Sequence, residues 1–389
     1  MERLFDSLLT QQRMQKHTIQ RIEEKTLVAA VAGVWLDGRQ VCNVALGWRD
    51  PLNSVPVSQD TIFRLASMTK PVTGTAVMQL WEKELIGLDD PISKWIPCYA
   101  NMQIAAKIEG DNVVEVSPAQ KEMTIRMLLT HSGGVGSGQI CQLQYEDFCV
   151  SKYGSLAEAV DGYADSLLEF EPGTNQNYSG IQGMDILARI VEIVSDMPYE
   201  EYLKKNLFIP LGMKDTTYCP NEEQQERLME MIVADGDFHA VDMSKGSGFA
   251  DFPDGYTGGG AGLFSTLEDY SHLAMMFLNN GCYDGTHILK SSTVDLMATP
   301  QLPDSFPGIG PLFNWGLSMR VCSEQKAPEQ PLSPGTFGWS GAYGTHFWVD
   351  RAKNLVAVYM SNIHNGMGAG APTAFEFERD VMAGFGECE

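Results

Sequence analysis

Apolar positions along the chain change period several times, and each change marks an element. Leu4, Phe5, Leu8, Leu9 and Met14 recur at helical spacing in a charged N-terminal segment, predicting a helix over 1–25. Strand-like runs at 28–35 and 41–48 follow, with Asp37-Gly38 between them as a hairpin signal. From about 90 to 260 the chain is mostly short helical patterns between Gly, Pro and Asn turns, clearest at 123–130, 156–168, 181–194 and 200–207. Ser265 or Thr266 with Glu268 has the form of a capping box, opening a helix that runs to 279. Strand character returns at 313–321, 336–339, 345–349 and 354–360, and a helical pattern spans 373–383. Strands near both ends with helices between predict an α/β fold of the α+β type. Residues 1–90 and 260–389 would form one α/β domain from both termini, with 91–259 a mostly helical domain inserted into it.

Composition narrows the function classes. The 389 residues are 44% hydrophobic and 10% aromatic, enough for a sizeable core. The net charge of −23, from 27 basic against 50 acidic residues, argues against nucleic-acid and anionic-membrane partners. No apolar run is long enough to span a membrane, and the charged N-terminus reads as a helix rather than a signal peptide. Eight scattered cysteines without C-x-x-C spacing read as free thiols, so a cytoplasmic location is expected. Neither H-E-x-x-H nor paired cysteines occur, and no metal or other cofactor is expected. Nothing in the sequence indicates an oligomeric state.

The chemistry centres on Ser67-Met68-Thr69-Lys70, between an apolar run at 61–66 and a helical pattern at 72–81. Pro71 falls in the first helical turn, where its missing N–H costs nothing, so Ser67 sits at a helix N-terminus. Lys70, three residues on, shares its face. A serine hydroxyl attacks carbonyls only when a base takes its proton. The helix dipole, desolvation among Leu65, Ala66 and Met68, and any second cation all favour the neutral amine that such a base needs. The plain alternative is an N-cap serine beside a solvated lysine, and downstream partners decide between the two. Tyr178 ends a Pro/Gly turn at 171–180, just before the run at 181–194; it either exchanges protons with Lys70 or covers a helix end. Phe337-Gly-Trp339-Ser340-Gly341-Ala342-Tyr343-Gly344 lies on a strand whose glycines permit close approach. It either aims backbone N–H groups at an oxyanion, with that of Ser67, or is a bend in a sheet. Gly338-Trp-Ser340-Gly-Ala342 also mimics a G-x-S-x-G elbow, with Asp350 and His364 in order. Residues 343–349 read as strand, however, and an elbow needs a helix there, so Ser340 is set aside as nucleophile.

S-x-x-K, then P-G-T-x-x-x-Y-S, then Trp339-Ser340-Gly341 together resemble the serine β-lactamase and penicillin-binding-protein superfamily. Within it the chain is most similar to class C β-lactamases and family VIII carboxylesterases. The phrases Thr124-Ile-Arg-Met-Leu-Leu-Thr-His131-Ser-Gly-Gly134, Leu211-Gly-Met-Lys-Asp-Thr216 and Gly259-Gly-Ala-Gly-Leu-Phe-Ser-Thr266 extend the resemblance over roughly 25–365. It implies an antiparallel sheet flanked by helices plus a helical domain, with the active site in the cleft between. By position, Ser67 would be the acylated nucleophile, Lys70 and Tyr178 the general base pair, and the N–H groups of Ser67 and Ala342 the oxyanion hole. Trp339, Ser340, Gly341 and Tyr343 would meet substrate, His346, Tyr145 and Trp315 are further candidates for the wall, and His131 would support the cleft as part of a turn.

The departures bear on substrate. Where that superfamily has K-T-G, this chain has Trp339-Ser340-Gly341, replacing a cation by an apolar face with one N–H donor. Gly180 stands where the Y-x-N motif has asparagine, removing an amide-binding side chain. Both changes favour neutral, apolar acyl groups, so a serine esterase acting on short-chain carboxylic esters is expected, its partner a small ester. Acyl transfer to a small alcohol or amine, weak β-lactamase or D-aminopeptidase activity, and a non-catalytic binding role are the alternatives.

Overall fold

The structure, a computed structural model, describes residues 5–241, 252–253, 255–307, 309, 312–323, 331–364 and 366–386. Its first helix, α1 (Ser7–Glu23), starts where the Asp6 side chain accepts the Leu9 N–H at 2.9 Å. Strands β1 (Ala29–Leu36) and β2 (Arg39–Asp50) form the expected hairpin, with Asp37 and Gly38 both at positive φ as a type I′ turn requires. Together with β3 (Val55–Pro56) they join five late strands: β4 (Phe313–Trp315), β5 (Arg320–Cys322), β6 (Phe337–Ser340), β7 (His346–Asp350) and β8 (Leu355–Met360). The sheet order is β4-β5-β6-β7-β8-β1-β2-β3, antiparallel throughout, with β1 pairing β8 so that both ends of the chain meet in one sheet.

Helices cover both faces, and strand alternation assigns each side chain to one of them. On β7, Phe347 packs edge-on against Tyr270 of α4 (Leu267–Leu278), while its neighbour Trp348 packs against Phe377 of α5 (Pro372–Ala383). Helix α1 shares the α5 face, held by Arg13 and His17 to Asp380 and by Arg21 to Glu376. Two further helices, α2 (Thr69–Glu82) and α3 (Gln182–Ser195), pack on each other; α2 is buried from Thr69 to Leu80, so polar groups on it must find partners inside. The antiparallel sheet flanked by helices is the predicted fold class.

Some elements differ from the periodicity. The run at 313–321 is the hairpin of β4 and β5, because Gly316, whose Cβ would lie 2.0 Å from the Met297 carbonyl, and Ser318 at φ +70° reverse the chain. Helices expected over 123–130, 156–168 and 200–207 shorten to Ile125–Leu129, Leu156–Tyr163 and Tyr199–Leu203, the last running on into a π-turn at Lys204–Phe208. Thr266 rather than Ser265 caps α4, accepting from the Asp269 N–H, so Asp269 and not Glu268 takes the third position. Within the segment expected to be helical lies a strand hairpin, Gln103–Glu109 with Asn112–Pro118. Val114 and Val116 of that hairpin face solvent, so no alternating buried face marked it in the sequence.

Candidate active site

Ser67 lies in a single 3-10 turn (Ala66–Met68) immediately before α2. Ala66 takes φ +47°, a strained value for a residue with a Cβ, and this bend turns the chain from the Phe63–Arg64 bridge strand into the helix. Lys70 is fully buried, and its Nζ donates to Gly180 O at 2.5 Å and Gly260 O at 2.8 Å, with Ser67 Oγ at 3.2 Å. An ammonium fills all three directions as a donor; a neutral amine serves the two carbonyls and turns its lone pair toward Oγ.

Glycines make those carbonyls available. Gly180 enters the site through its backbone oxygen, not as a missing side chain. The loop at 258–260 lies against the start of α3 so closely that a Cβ on Gly259 would sit 2.1 Å from Met184 O, and one on Gly260 2.8 Å from Ile181 Cα. Asp185 of α3 fixes this loop, accepting the Gly260 N–H at 3.0 Å and the Tyr256 hydroxyl at 2.5 Å. It is fully buried, and desolvation pushes its pKa up to about 6 against the opposing effects of those hydrogen bonds and the Lys70 charge. Thr73, one turn after Lys70, donates to Gly259 O at 2.7 Å. Nothing in the sequence singles out Asp185, because an acid in the first turn of a helix normally needs no explanation beyond the dipole.

Tyr178 meets this group from the other side. Lys70 Nζ lies 5.0 Å from its ring centroid, and Trp339 Nε1 donates to its hydroxyl at 3.3 Å. His131 and Trp315 complete an aromatic box: His131 is 4.7 Å from Tyr178 and 4.3 Å from Trp315, and Trp315 is 4.7 Å from Trp339. The Ser179 N–H donates to His131 Nδ1 at 3.3 Å, which requires that nitrogen to be unprotonated. Burial and the Lys70 charge hold the His131 pKa well below its ordinary value, so the box is uncharged apart from the lysine.

The strand expected to supply the oxyanion hole is fastened beside Ser67. Thr345 Oγ1 donates to Leu65 O at 3.0 Å, and a Cβ on Gly341 would lie 2.1 Å from the same oxygen. Ala66, Tyr343 and Ala342 pack together. None of the backbone hydrogen bonds among the described residues uses the N–H of Ser67 or Ala342. Two residues expected at the substrate face the opposite way. Ser340 and His346, cross-strand partners on β6 and β7, bond to each other at 2.7 Å on the α5 face, because the strand period puts them opposite Trp339. Tyr343 is buried against Ala66 and Met231 rather than in the aromatic box, and Tyr145 lies exposed on the short helix Tyr145–Phe148. Among the described residues no three His, Cys, Asp or Glu side chains converge as a metal site would require, and no helix is long and apolar enough to cross a membrane.

Comparison with known proteins places the chain in a family. Residues 9–376 match the β-lactamase family. An uncharacterized protein of Mycobacterium tuberculosis is 31% identical over 356 residues, covering 86% of this chain and 85% of its own. Esterase EstB of Burkholderia gladioli is 27% identical over 366 residues, 88% of each chain. The solved structure of EstCE1, described as a hydrolase with promiscuous acyltransferase activity, superposes with a TM-score of 0.82 at 22% identity, over 97% of this chain and 99% of that one. By its match across nearly the whole length, and by a fold shared with the serine β-lactamases and penicillin-binding proteins, the chain is a serine hydrolase of the β-lactamase family.

Proposed function

We propose that the protein is an esterase hydrolysing short-chain, neutral carboxylic esters through an acyl-enzyme on Ser67, with Lys70 and Tyr178 as the general base pair. The observation carrying this is Lys70 itself: buried, held by two carbonyls, with its remaining direction at Ser67 Oγ. Lys70, acting in its unprotonated form, takes the Ser67 proton as Oγ attacks the ester carbonyl, and the N–H groups of Ser67 and Ala342 receive the oxyanion. Collapse expels the alkoxide, which takes the Tyr178 proton, and Lys70 returns one to the tyrosine; Trp339 Nε1, donating to the Tyr178 oxygen, favours the transient phenolate. Water then attacks the acyl group, giving up a proton to the same pair, and Ser67 leaves reprotonated with the acid released.

The aromatic residues around Tyr178 support this substrate class. Trp339 and Trp315 offer aromatic surface and no cation to hold a substrate carboxylate. EstB, an esterase by name, supports the same choice. A series of p-nitrophenyl esters from acetate to laurate, with nitrocefin and a D-amino-acid amide alongside, tests it. The shorter esters are expected to give the highest kcat/KM; faster turnover of nitrocefin or of the amide would overturn the ester assignment.

A further inference from the structure

Behind the strand that carries Trp339 lies a second serine with its own histidine and carboxylate. Ser340 Oγ is 2.7 Å from His346 Nδ1, and His346 Nε2 is 3.1 Å from Glu378 Oε1 on α5. Arg320 of β5 lies 3.6 Å from the same carboxylate oxygen. Ser340, His346 and Glu378 are 2%, 1% and 0% exposed, enclosed between the sheet and α5, so no ester reaches Oγ there. In the tautomer with its proton on Nε2, His346 donates to the Glu378 carboxyl group and accepts the Ser340 hydroxyl at Nδ1. The groups are those of a hydrolytic triad, yet their position rules out nucleophilic attack.

Such a network costs desolvation that an apolar trio would avoid, so what it holds in place matters. It spans β5, β6, β7 and α5, and its serine stands between two parts of the proposed machinery: Trp339, which donates to Tyr178, and the Gly341–Ala342 segment. Because side chains alternate along a strand, a rotation of β6 that moved Ser340 would move the Trp339 indole in the opposite sense. The β6–β7 turn is pinned from the cleft side by Thr345 on Leu65 O. Only the Ser340–His346–Glu378 chain provides a polar tie from the helix behind, among the hydrogen bonds of the described residues in 337–346.

We propose that Ser340, His346 and Glu378 are positioning residues: a buried relay that sets β6 so that Trp339 Nε1 meets Tyr178 and the Ala342 N–H meets the oxyanion. This rests on Ser67 as the nucleophile, and the test keeps the two apart. Ser340→Ala and His346→Phe, the second keeping a ring but neither the donor toward Glu378 nor the acceptor for Ser340, are made singly and together in the full chain. They are compared in ester kinetics and in binding of a boronic acid that mimics the tetrahedral adduct. Each single variant is expected to lose about tenfold in kcat with KM little changed, a fraction of the 10²–10³ that losing a whole oxyanion donor costs. Boronate affinity falls by the same factor, and the double variant is no worse than either single one, as expected of groups acting as a unit. Unchanged kcat and boronate affinity in Ser340→Ala, whatever happens to thermal stability, overturns the relay. If that variant does not fold, Ser340→Cys, with a weaker hydrogen-bonding side chain of similar shape, takes its place under the same two outcomes. Failure of the underlying assignment reads differently: a fluorophosphonate would modify the unaltered protein at a residue other than Ser67.

Discussion

Two serine clusters stand on opposite faces of β6, and the one that looks less like a hydrolase triad is the one we propose does the chemistry. Ser340 has a histidine and a carboxylate in hydrogen-bonded series, closer to the familiar order than Ser67 with its lysine. Two differences separate them. Ser67 begins a helix with its N–H unused, so an oxyanion has a donor there, whereas Ser340 sits in the ladder opposite His346. Lys70, the proposed base at Ser67, has two directions filled by the Gly180 and Gly260 carbonyls and its third at Ser67 Oγ. At Ser340 the carboxylate, the arginine and the covering helix convert the same groups into a structural tie. Residue types therefore nominate a nucleophile less reliably than the free directions around it.

The sharpest way to break the contrast is to remove each hydroxyl in turn. Ser67→Ala is expected to abolish ester hydrolysis by on the order of 10⁵-fold or more. Ser340→Ala loses only about a factor of ten, a modest cost because its part is positional. A p-nitrophenyl butyrate assay gives both, and reversed magnitudes would exchange the roles of the two faces. Next in size, Tyr178→Phe keeps the aromatic box but removes the shuttled proton, with an expected loss of about 10²–10⁴ in kcat. A loss no greater than twofold would reduce Tyr178 to a packing residue.

Much of this was legible in the chain. The spacings of Ser67, Lys70 and Tyr178 place them at a helix start and a tight turn, and the structure brings all three together. The assignment of Ser340 to the substrate side failed, since a motif quoted as consecutive letters ignores that neighbouring strand residues face apart. His346 failed with it, as Ser340's cross-strand partner. Trp315 was a weak candidate until the hairpin at 313–322 brought it beside Trp339, a pairing no local period encodes. Asp185 and Tyr256 were invisible because their role lies in a loop contact across more than seventy residues, although the glycines at 258–260 hinted at a close approach.

Asp185 gives an expected effect on stability rather than on turnover. Its carboxyl, near 3.8 when unfolded, is held at about 6 in the fold. Between those values the folded state binds more protons, so stability from this group falls as pH rises through that window and levels off above it. Asp185→Asn removes the titration. The variant's unfolding free energy relative to the parent is expected to improve by roughly 2 kcal/mol between about pH 4.5 and pH 8. Denaturant melts at the two pH values check it, and an unchanged difference would mean that Asp185 carries no buried charge.

The central claim, that Ser67 and not Ser340 receives the acyl group, is tested most directly by covalent capture. The protein is treated with a fluorophosphonate, digested, and the modified peptide sequenced by mass spectrometry. A single adduct on Ser67, absent from Ser67→Ala and retained in Ser340→Ala, is the predicted result; an adduct on Ser340, or none at all, would contradict it.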